Sequence, residues 1–146
     1  MDIVEQILMH EGMRLQVYDD ATGKPIKKGT LVKGTPTVGC GRNLARGISQ
    51  MEAMILLKQD IFECRRDLTK TYPWFATLSD VRQRVLIDMA FNLGMKGLAG
   101  FKMTLRLIAE GKYEQAADHM TRSKWYGQVG KRAQRLCHMM KYDKEM

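Results

Sequence analysis

The chain has 146 residues, of which 45% are hydrophobic and 27% are charged, and this balance predicts one globular domain. It excludes a disordered tail, a collagen-like chain and a small disulfide scaffold, and no apolar run is long enough to span a membrane. The charge is unusual, because 24 Lys and Arg against 16 Asp and Glu give a net charge of +8. Such an excess favours a polyanionic partner, for which nucleic acid, a membrane surface and the bacterial cell wall all qualify.

The chain starts with a segment that does not have the pattern of a signal peptide. MDIVEQILMHEG is acidic where a signal peptide is basic, so we expect a protein held in the cytoplasm without a secretion signal of its own. We expect no stable insertion in a membrane. Residues 2–11 instead predict a helix, with Asp2 as N-cap and an apolar stripe that includes Ile3 and Ile7. Gly12 can end this helix in the left-handed conformation.

Between residue 14 and about residue 48 the helical period is lost. LQVY and TPTVGCG are extended candidates on either side of a Gly- and Lys-rich stretch, TGKPIKKGTLVKG. This pattern predicts a small sheet with a hairpin-like insertion.

From residue 49 the pattern is helical. Ser49 and Glu52 form a capping box at the start of a long helix that ends at Thr71-Tyr72-Pro73. Later helices are predicted from Ser79 to Gly94, and over 102–110, 113–121 and about 131–141. The predicted fold class is therefore α+β and mainly helical.

We expect the whole chain, 1–146, to be a single domain with two lobes and a cleft. A small N-terminal β-sheet lobe covers about 12–48, and a connecting helix covers about 49–71. A helical C-terminal lobe covers about 72–146 and packs with helix 2–11.

The cysteines and histidines do not predict a metal site. Cys40, Cys64 and Cys137 are an odd number without a C-x-x-C pair, so reduced thiols are expected. His10, His119 and His138 are scattered, without a pair at helical spacing. We expect no metal and no cofactor, and we interpret Cys40 as a small buried filler.

Glu11 is a candidate general acid. It projects from the helix face that carries Ile3 and Ile7, so we expect its carboxyl group to be partly desolvated, which raises a carboxyl pKa. The alternative is a glutamate at a helix end that an Arg or Lys holds in place. The position alone does not decide between the two.

A second carboxylate follows at Tyr18-Asp19-Asp20, just before a turn at Thr22-Gly23. An aspartate here could simply start the turn. A glycosidase, however, needs a second, ionised carboxylate that activates water or stabilises charge on the sugar. Asp20 is the preferred candidate, and Asp19 is the adjacent alternative.

The third feature is a glycine-flanked loop. Gly39 and Gly41 surround one residue, which lets the backbone pass close to a ligand. In chain order, the motifs that carry a family resemblance are Glu11-Gly12, Tyr18-x-Asp20, Thr37-x-Gly39-x-Gly41-Arg42-Asn43-Leu44, AFNLG at 90–94, GLAGF at 97–101, SKWY at 123–126 and Arg132-Ala133. Together they resemble the phage-type lysozymes (endolysins) of glycoside hydrolase family 24, over residues 1 to about 136.

The resemblance implies a lysozyme-like fold and hydrolysis of the β-1,4 bond between N-acetylmuramic acid and N-acetylglucosamine in peptidoglycan. This reaction would lyse the host cell at the end of the phage cycle, mostly with inversion at the sugar. Glu11 matches the family's catalytic acid and Asp20 its second catalytic carboxylate. Thr37 matches the threonine that helps to position the attacking water.

The resemblance also assigns residues that contact the substrate or support the acid. The positions that line the sugar-binding cleft fall on Phe91, Thr104, Asn43 and His119, with residue changes at the last two. Arg132 matches an arginine that pairs with the catalytic glutamate. That pairing would lower the pKa of the acid and oppose desolvation, which leaves the net direction open.

One departure from compact members lies between Asp20 and Thr37, where this chain is longer and carries Lys24, Lys27 and Lys28, as well as Lys33. We interpret the extra residues as an elongated surface hairpin rather than a new binding element.

The partners follow from the same resemblance. We expect a monomer that acts on peptidoglycan and depends on a holin, which would release it from the host cytoplasm to the periplasm and cell wall. The alternative is a basic helical nucleic-acid-binding module in 122–146, which holds seven basic and two acidic residues. Nothing else supports a groove-reading motif, so the enzyme is preferred and no nucleic-acid partner is expected.

Overall fold

A computed structural model describes residues 1–146 and divides them into two compact units, Met1–Met54 and Ile55–Met146. The first unit holds helix α1 and a three-stranded sheet, and the second unit is helical. The predicted mainly helical α+β class is therefore confirmed. The packing of helix 2–11 with the C-terminal lobe stays a prediction.

Helix α1 (Ile3–Glu11) begins and ends where the sequence predicts. The Asp2 carboxylate accepts a hydrogen bond from the Glu5 backbone N–H at 2.8 Å, and the Glu5 carboxylate accepts one from the Asp2 N–H at 2.8 Å. This reciprocal pair is a capping box, and it satisfies two backbone donors that the first helical turn leaves free. Gly12 ends the helix with φ of 69°, so Glu11 is its last residue.

The sheet consists of β1 (Arg14–Asp19), β2 (Pro36–Gly39) and β3 (Arg42–Asn43), in that order and antiparallel. Thr37 lies in the central strand, opposite Tyr18 on one side and Asn43 on the other. On its free edge, β1 also pairs with the start of the insertion, because Tyr18 bridges to Pro25. The insertion is therefore hydrogen-bonded to the sheet from its first residues.

Helix α2 (Gln50–Thr71) starts at the predicted capping box and crosses the boundary between the units. The Ser49 hydroxyl accepts a hydrogen bond from the Glu52 N–H at 3.2 Å, and the Glu52 carboxylate accepts one from the Ser49 N–H at 3.0 Å. The predicted helix over 49–71 is confirmed.

The second unit continues with one 3₁₀ turn and five helices. In chain order they are the 3₁₀ turn Pro73–Thr77, α3 (Asp80–Ala99), α4 (Lys102–Ala109), α5 (Tyr113–Thr121), α6 (Lys124–Val129) and α7 (Lys131–Tyr142). The predicted stop at Gly94 is a kink, since this residue has φ of 75° and ψ of 164° and the helix resumes after it. Helix α6 was not predicted, because six residues are too few to show a helical period.

The hydrophobic core belongs to the second unit. Every buried hydrophobic side chain lies between Leu68 and Met140, with Leu86, Met89 and Met120 among those that are fully enclosed. In the first unit the only buried residues are Asp19 and Thr37. No helix of either unit combines the length and the apolar character that crossing a membrane requires.

Candidate active site

Glu11 lies against the hairpin that joins β2 and β3. A Cβ atom on Gly41 would lie 2.6 Å from Oε2 of Glu11, which is closer than any real contact, and Gly41 has φ of +72°. The positive φ favours glycine at position 41, and a side chain there would also push the Glu11 carboxylate away from the hairpin. The Glu11 side chain is exposed. Within the first unit most apolar residues of α1 are exposed with it, and the partial desolvation of Glu11 stays a prediction.

Asp20 and Thr37 meet at the backbone of Thr35. The Asp20 N–H donates to the Thr35 carbonyl at 3.1 Å, and the Thr35 N–H donates to Oδ1 of Asp20 at 2.7 Å. The Thr37 hydroxyl donates to the same carbonyl at 2.9 Å. The N–H of Thr35 thus binds the predicted second carboxylate, and the carbonyl of the same residue binds the predicted threonine.

Thr37 and Asp20 differ in exposure. Thr37 is 5% exposed in the central strand, whereas Asp20 is exposed at the end of β1. Because the Thr37 hydrogen is used in the bond to Thr35, the hydroxyl oxygen keeps its lone pairs as acceptors. The site therefore has a buried hydroxyl oxygen with free acceptor positions and an exposed carboxylate, each hydrogen-bonded to Thr35.

Asp19, the alternative to Asp20, is only 2% exposed and its carboxylate is fully engaged. Oδ1 accepts from the N–H groups of Ala21 at 3.0 Å and Gly34 at 2.9 Å, and Oδ2 accepts from that of Lys33 at 2.7 Å. These bonds hold the pKa of Asp19 below its ordinary value, and the bond from the Lys33 N–H has the largest effect on it. Burial of the carboxylate acts in the opposite direction. A carboxylate tied to three backbone donors is a structural anchor, which favours Asp20 as the reactive one.

Arg42 ties the β2–β3 hairpin to the start of α2, a contact that the sequence reasoning missed. Its guanidinium donates to the Glu52 carboxylate at 2.6 Å. The Ser49 N–H, and next the Arg42 guanidinium, lower the pKa of Glu52 to about 2. The capping box at Ser49 predicts the position of Glu52 correctly. No local sequence pattern predicts its pairing with Arg42, which lies ten residues earlier.

Two other residues of this unit face solvent. Cys40 is exposed at the hairpin turn, so its interpretation as a buried filler is wrong. Cys40 lies between Gly39 and Gly41 in a surface turn, where no buried space is available for its side chain. Asn43, the predicted sugar contact, is also exposed, and its side-chain oxygen accepts from the Ala45 N–H at 2.8 Å.

In the second unit, Thr104 and His119 line one pocket of about 410 Å³. Thr104 is buried on α4, and His119 is half-buried near the end of α5. The buried Trp125 also lines this pocket and packs edge-on against Phe101, with ring centroids 5.7 Å apart. Two of the predicted sugar-binding residues are therefore brought together with aromatic rings.

Phe91 and Arg132 lie apart from that pair, in another pocket of about 460 Å³ in the same unit. Arg132 donates to Oδ1 of Asp88 at 2.7 Å and toward the Asp88 carbonyl at 3.4 Å. The sequence did not single out Asp88. The pairing of Arg132 with Glu11 stays a prediction. Elsewhere, no group of three or more His, Cys, Asp or Glu is placed to hold a metal ion.

A small antiparallel sheet that presents carboxylates, followed by a helical unit, is the architecture of a lysozyme-like protein of the T4 type. The family model described as phage lysozyme matches residues 9–139, and the chain belongs to this family.

Curated relatives are similar to the chain over much of its length. It is 30% identical over 154 residues to the pre-baseplate central spike protein Gp5 of Enterobacteria phage T4, which covers 93% of this chain but 27% of the relative. It is 30% identical over 93 residues to probable T4-type lysozyme 1 of Dictyostelium discoideum, covering 61% of this chain and 54% of the relative. Probable T4-type lysozyme 2 of the same organism is 24% identical over 86% of this chain and 85% of its own length. The chain thus spans about a quarter of the length of the spike protein and about half of the length of T4-type lysozyme 1.

Proposed function

We propose that the protein is a peptidoglycan muramidase that hydrolyses the β-1,4 bond between N-acetylmuramic acid and N-acetylglucosamine. The observation that carries the proposal is that Asp20 and Thr37 are both hydrogen-bonded to the backbone of Thr35, beside the hairpin against which Glu11 lies. Family membership supports the same reaction class. Two of the similar relatives are described as T4-type lysozymes.

Glu11 is the proposed general acid. In its protonated form it would give its proton to the glycosidic oxygen, so that the leaving sugar departs as an alcohol. Its exposed position lets solvent reload the proton after each turnover. Gly41 lets the carboxyl group approach the hairpin without a clash.

Asp20 and Thr37 are proposed to act on the water. The free acceptor sites of the Thr37 oxygen and the accessible Asp20 carboxylate would orient a water and accept its proton as it attacks the anomeric carbon. This arrangement fits inversion, which needs room for a water beside the sugar. Asp19 is the less suitable residue for this role, because it is buried and three backbone N–H groups bind its oxygens.

For substrate binding, the proposal extends to Thr104 and His119, whose pocket carries the donors, acceptors and aromatic rings that sugars use. Phe91 and Asn43 are proposed as further sugar contacts because both are exposed. Arg132 is proposed as a supporting residue.

The test replaces each carboxylate by its amide and measures release of reducing ends from purified peptidoglycan. Glu11→Gln is expected to lower kcat by at least about 100-fold, since general acid catalysis contributes that much or more. Asp20→Asn and Thr37→Ala are expected to lower kcat, and Thr37→Ser to restore most of it by returning the hydroxyl. Glu63→Gln, an exposed residue on α2, is the charge-matched control. Full activity of Glu11→Gln would refute the proposal, and a silent Asp20→Asn with a damaging Asp19→Asn would move the second role to Asp19.

In the cell, we propose that the enzyme is an endolysin that waits in the host cytoplasm for holin-mediated release to the wall. Similarity to a central spike protein makes a virion-bound lysozyme the second candidate, since 93% of the chain matches that relative. Immunoblotting of washed virions from an infected culture, together with expression of the chain in host cells, separates the two roles. An endolysin lyses the cells only after the inner membrane is permeabilised and is absent from washed virions, whereas a spike enzyme is retained in them.

The alternative of nucleic-acid binding through 122–146 has less support. Arg132 and Lys141 are engaged by Asp88 and Glu114, so the basic segment is partly neutralised. Gly130 divides it into two short helices rather than one continuous basic helix.

A further inference from the structure

The longer stretch between Asp20 and Thr37 is an ordered part of the first unit. It is bound to the free edge of β1 through the Ile26 N–H and the Val17 carbonyl at 3.0 Å. It also closes its own turn, where the Lys27 N–H donates to the Thr30 hydroxyl at 2.9 Å and the Thr30 N–H donates to the Lys27 carbonyl at 3.0 Å. Bonds of this kind fix the path of a backbone that has no apolar core beneath it.

The end of the insertion returns to the sheet through Asp19. Its carboxylate accepts hydrogen bonds from the N–H groups of Lys33 and Gly34, which lie 14 and 15 positions later in the chain. Asp19 is buried, so these are the bonds of an enclosed group and not of a mobile surface side chain. The carboxylate therefore sets where Gly34 lies relative to Asp20, the residue that follows β1.

Gly34 in turn lies directly against the Asp20 carboxylate. A Cβ at position 34 would overlap Oδ1 of Asp20 and would lie 2.7 Å from the Ala21 Cβ and 2.9 Å from the Ala21 nitrogen. The φ of Gly34 is not positive, so glycine is not needed here for its backbone conformation. What position 34 requires is the absence of a side chain, and the atom that needs the space is the one that binds the Thr35 N–H.

We propose that Asp19 and Gly34 are positioning residues for Asp20, and that the insertion acts as a built-in support that holds the water-activating carboxylate in place. Asp19 fixes the strand end of the insertion, and Gly34 leaves the space in which Oδ1 of Asp20 reaches Thr35. This proposal rests on the proposed role of Asp20. It gives the longer insertion a catalytic consequence without a contact to substrate.

The central experiment is Gly34→Ala, assayed on a soluble peptidoglycan oligosaccharide so that kcat and KM are obtained separately. The added methyl group is expected to displace the Asp20 carboxylate and to lower kcat by about 10- to 100-fold, because small misplacements of a reacting group have effects of this size. KM is expected to change less than two-fold, since Gly34 and Asp20 are not assigned to sugar binding. The matched control is Gly127→Ala, because Gly127 also lacks a positive φ and has open space around it.

A second variant addresses the other residue of the pair. Asp19→Asn keeps the size of the side chain but replaces one acceptor oxygen by a donor that faces a backbone N–H. It is expected to lower kcat in the same way. Circular dichroism and thermal unfolding check that each variant is folded. If Gly34→Ala does not fold, Asp19→Asn and the NMR chemical shift of the Asp20 carboxyl carbon in that variant decide the question.

A double variant separates positioning from a general structural effect. If Gly34 acts through Asp20, then Gly34→Ala added to Asp20→Asn lowers the residual kcat no further, whereas independent effects would multiply. Wild-type kcat in a folded Gly34→Ala together with an inactive Asp20→Asn overturns this proposal and leaves the muramidase assignment standing. An active Asp20→Asn overturns the role of Asp20 itself.

Discussion

Each of the two units of the chain is stabilised internally by a different kind of interaction. In Ile55–Met146 the buried residues are nearly all hydrophobic, and they come from every helix of that unit. In Met1–Met54 the only buried residues are Asp19 and Thr37, and both are polar and hydrogen-bonded to backbone. The first unit is therefore ordered by directional bonds to side chains and the second by burial of apolar surface.

The difference explains why the proposed catalytic carboxylates belong to the unit without a core. A hydrogen bond fixes both distance and direction, whereas apolar packing has no preferred direction. Asp20 is exposed, yet its bond to the Thr35 N–H and the space left by Gly34 define where its Oδ1 lies. A small unit can thus place a carboxylate in solvent and still hold it in position.

The largest effect on stability is expected in the second unit. Leu86→Ala removes a fully buried side chain from α3 and leaves a cavity, so we expect a loss of about 3 kcal/mol in the free energy of unfolding. Leu15→Ala, at a residue of β1 that is 83% exposed, is the matched change in the first unit, and we expect less than about 0.5 kcal/mol. Urea denaturation measures both. Equal losses would contradict the contrast between the units.

A smaller effect on stability is expected at the start of α2, where a helix cap at Ser49 orders the first unit. Ser49→Ala removes the hydroxyl that accepts from the Glu52 N–H, and we expect a loss of about 1 kcal/mol in the free energy of unfolding. Ser123→Ala removes the corresponding cap of α6 in the second unit, where the hydroxyl accepts from the Tyr126 N–H. Gln50→Ala, at an exposed position next to Ser49, is the control. A loss at Ser49 no larger than at Gln50 would show that the cap contributes little.

Local sequence patterns predicted most of the fold, because caps and helical periods depend on residues close in the chain. The caps at Asp2 and Ser49 and the end of α1 at Gly12 are confirmed on these grounds. Helix α6 escaped prediction because it is too short. Gly94 was predicted to end a helix because glycine often does so, but in the structure it only kinks α3.

The candidate site was harder to predict from the sequence than the fold. Motif order selected Glu11, Asp20 and Thr37, but it could not separate Asp20 from Asp19. What separates them is the bonding of Asp19 to backbone groups 14 and 15 residues away, and no local pattern encodes such contacts. The space at Gly34 and the pairing of Arg42 with Glu52 depend on the same kind of long-range geometry.

The smallest effect is a local response to acid that we expect at two hydrogen-bonded carboxylates of the first unit, Asp19 and Glu52. The pKa of Asp19 is lowered from 3.8, chiefly by the Lys33 N–H, and that of Glu52 is lowered from 4.5 to about 2, chiefly by the Ser49 N–H. Because both folded-state values lie below the unfolded ones, the stabilisation is complete above about pH 4.5. It is lost as the pH falls through the folded values. Acid therefore weakens the anchors of the first unit and leaves apolar burial unchanged.

NMR titration from pH 6 to pH 2 follows this response. The amide signals of Lys33, Gly34 and Ser49 are expected to shift toward the lower end of the range, while the methyl signals of Leu86 and Met120 stay constant until the chain unfolds. In Glu52→Gln the Ser49 response is expected to disappear and those of Lys33 and Gly34 to remain, since a different carboxylate binds them. A common midpoint for amides and core methyls would mean that both units respond to acid as one cooperative structure. The contrast between directional bonding and apolar burial would then have no counterpart in stability.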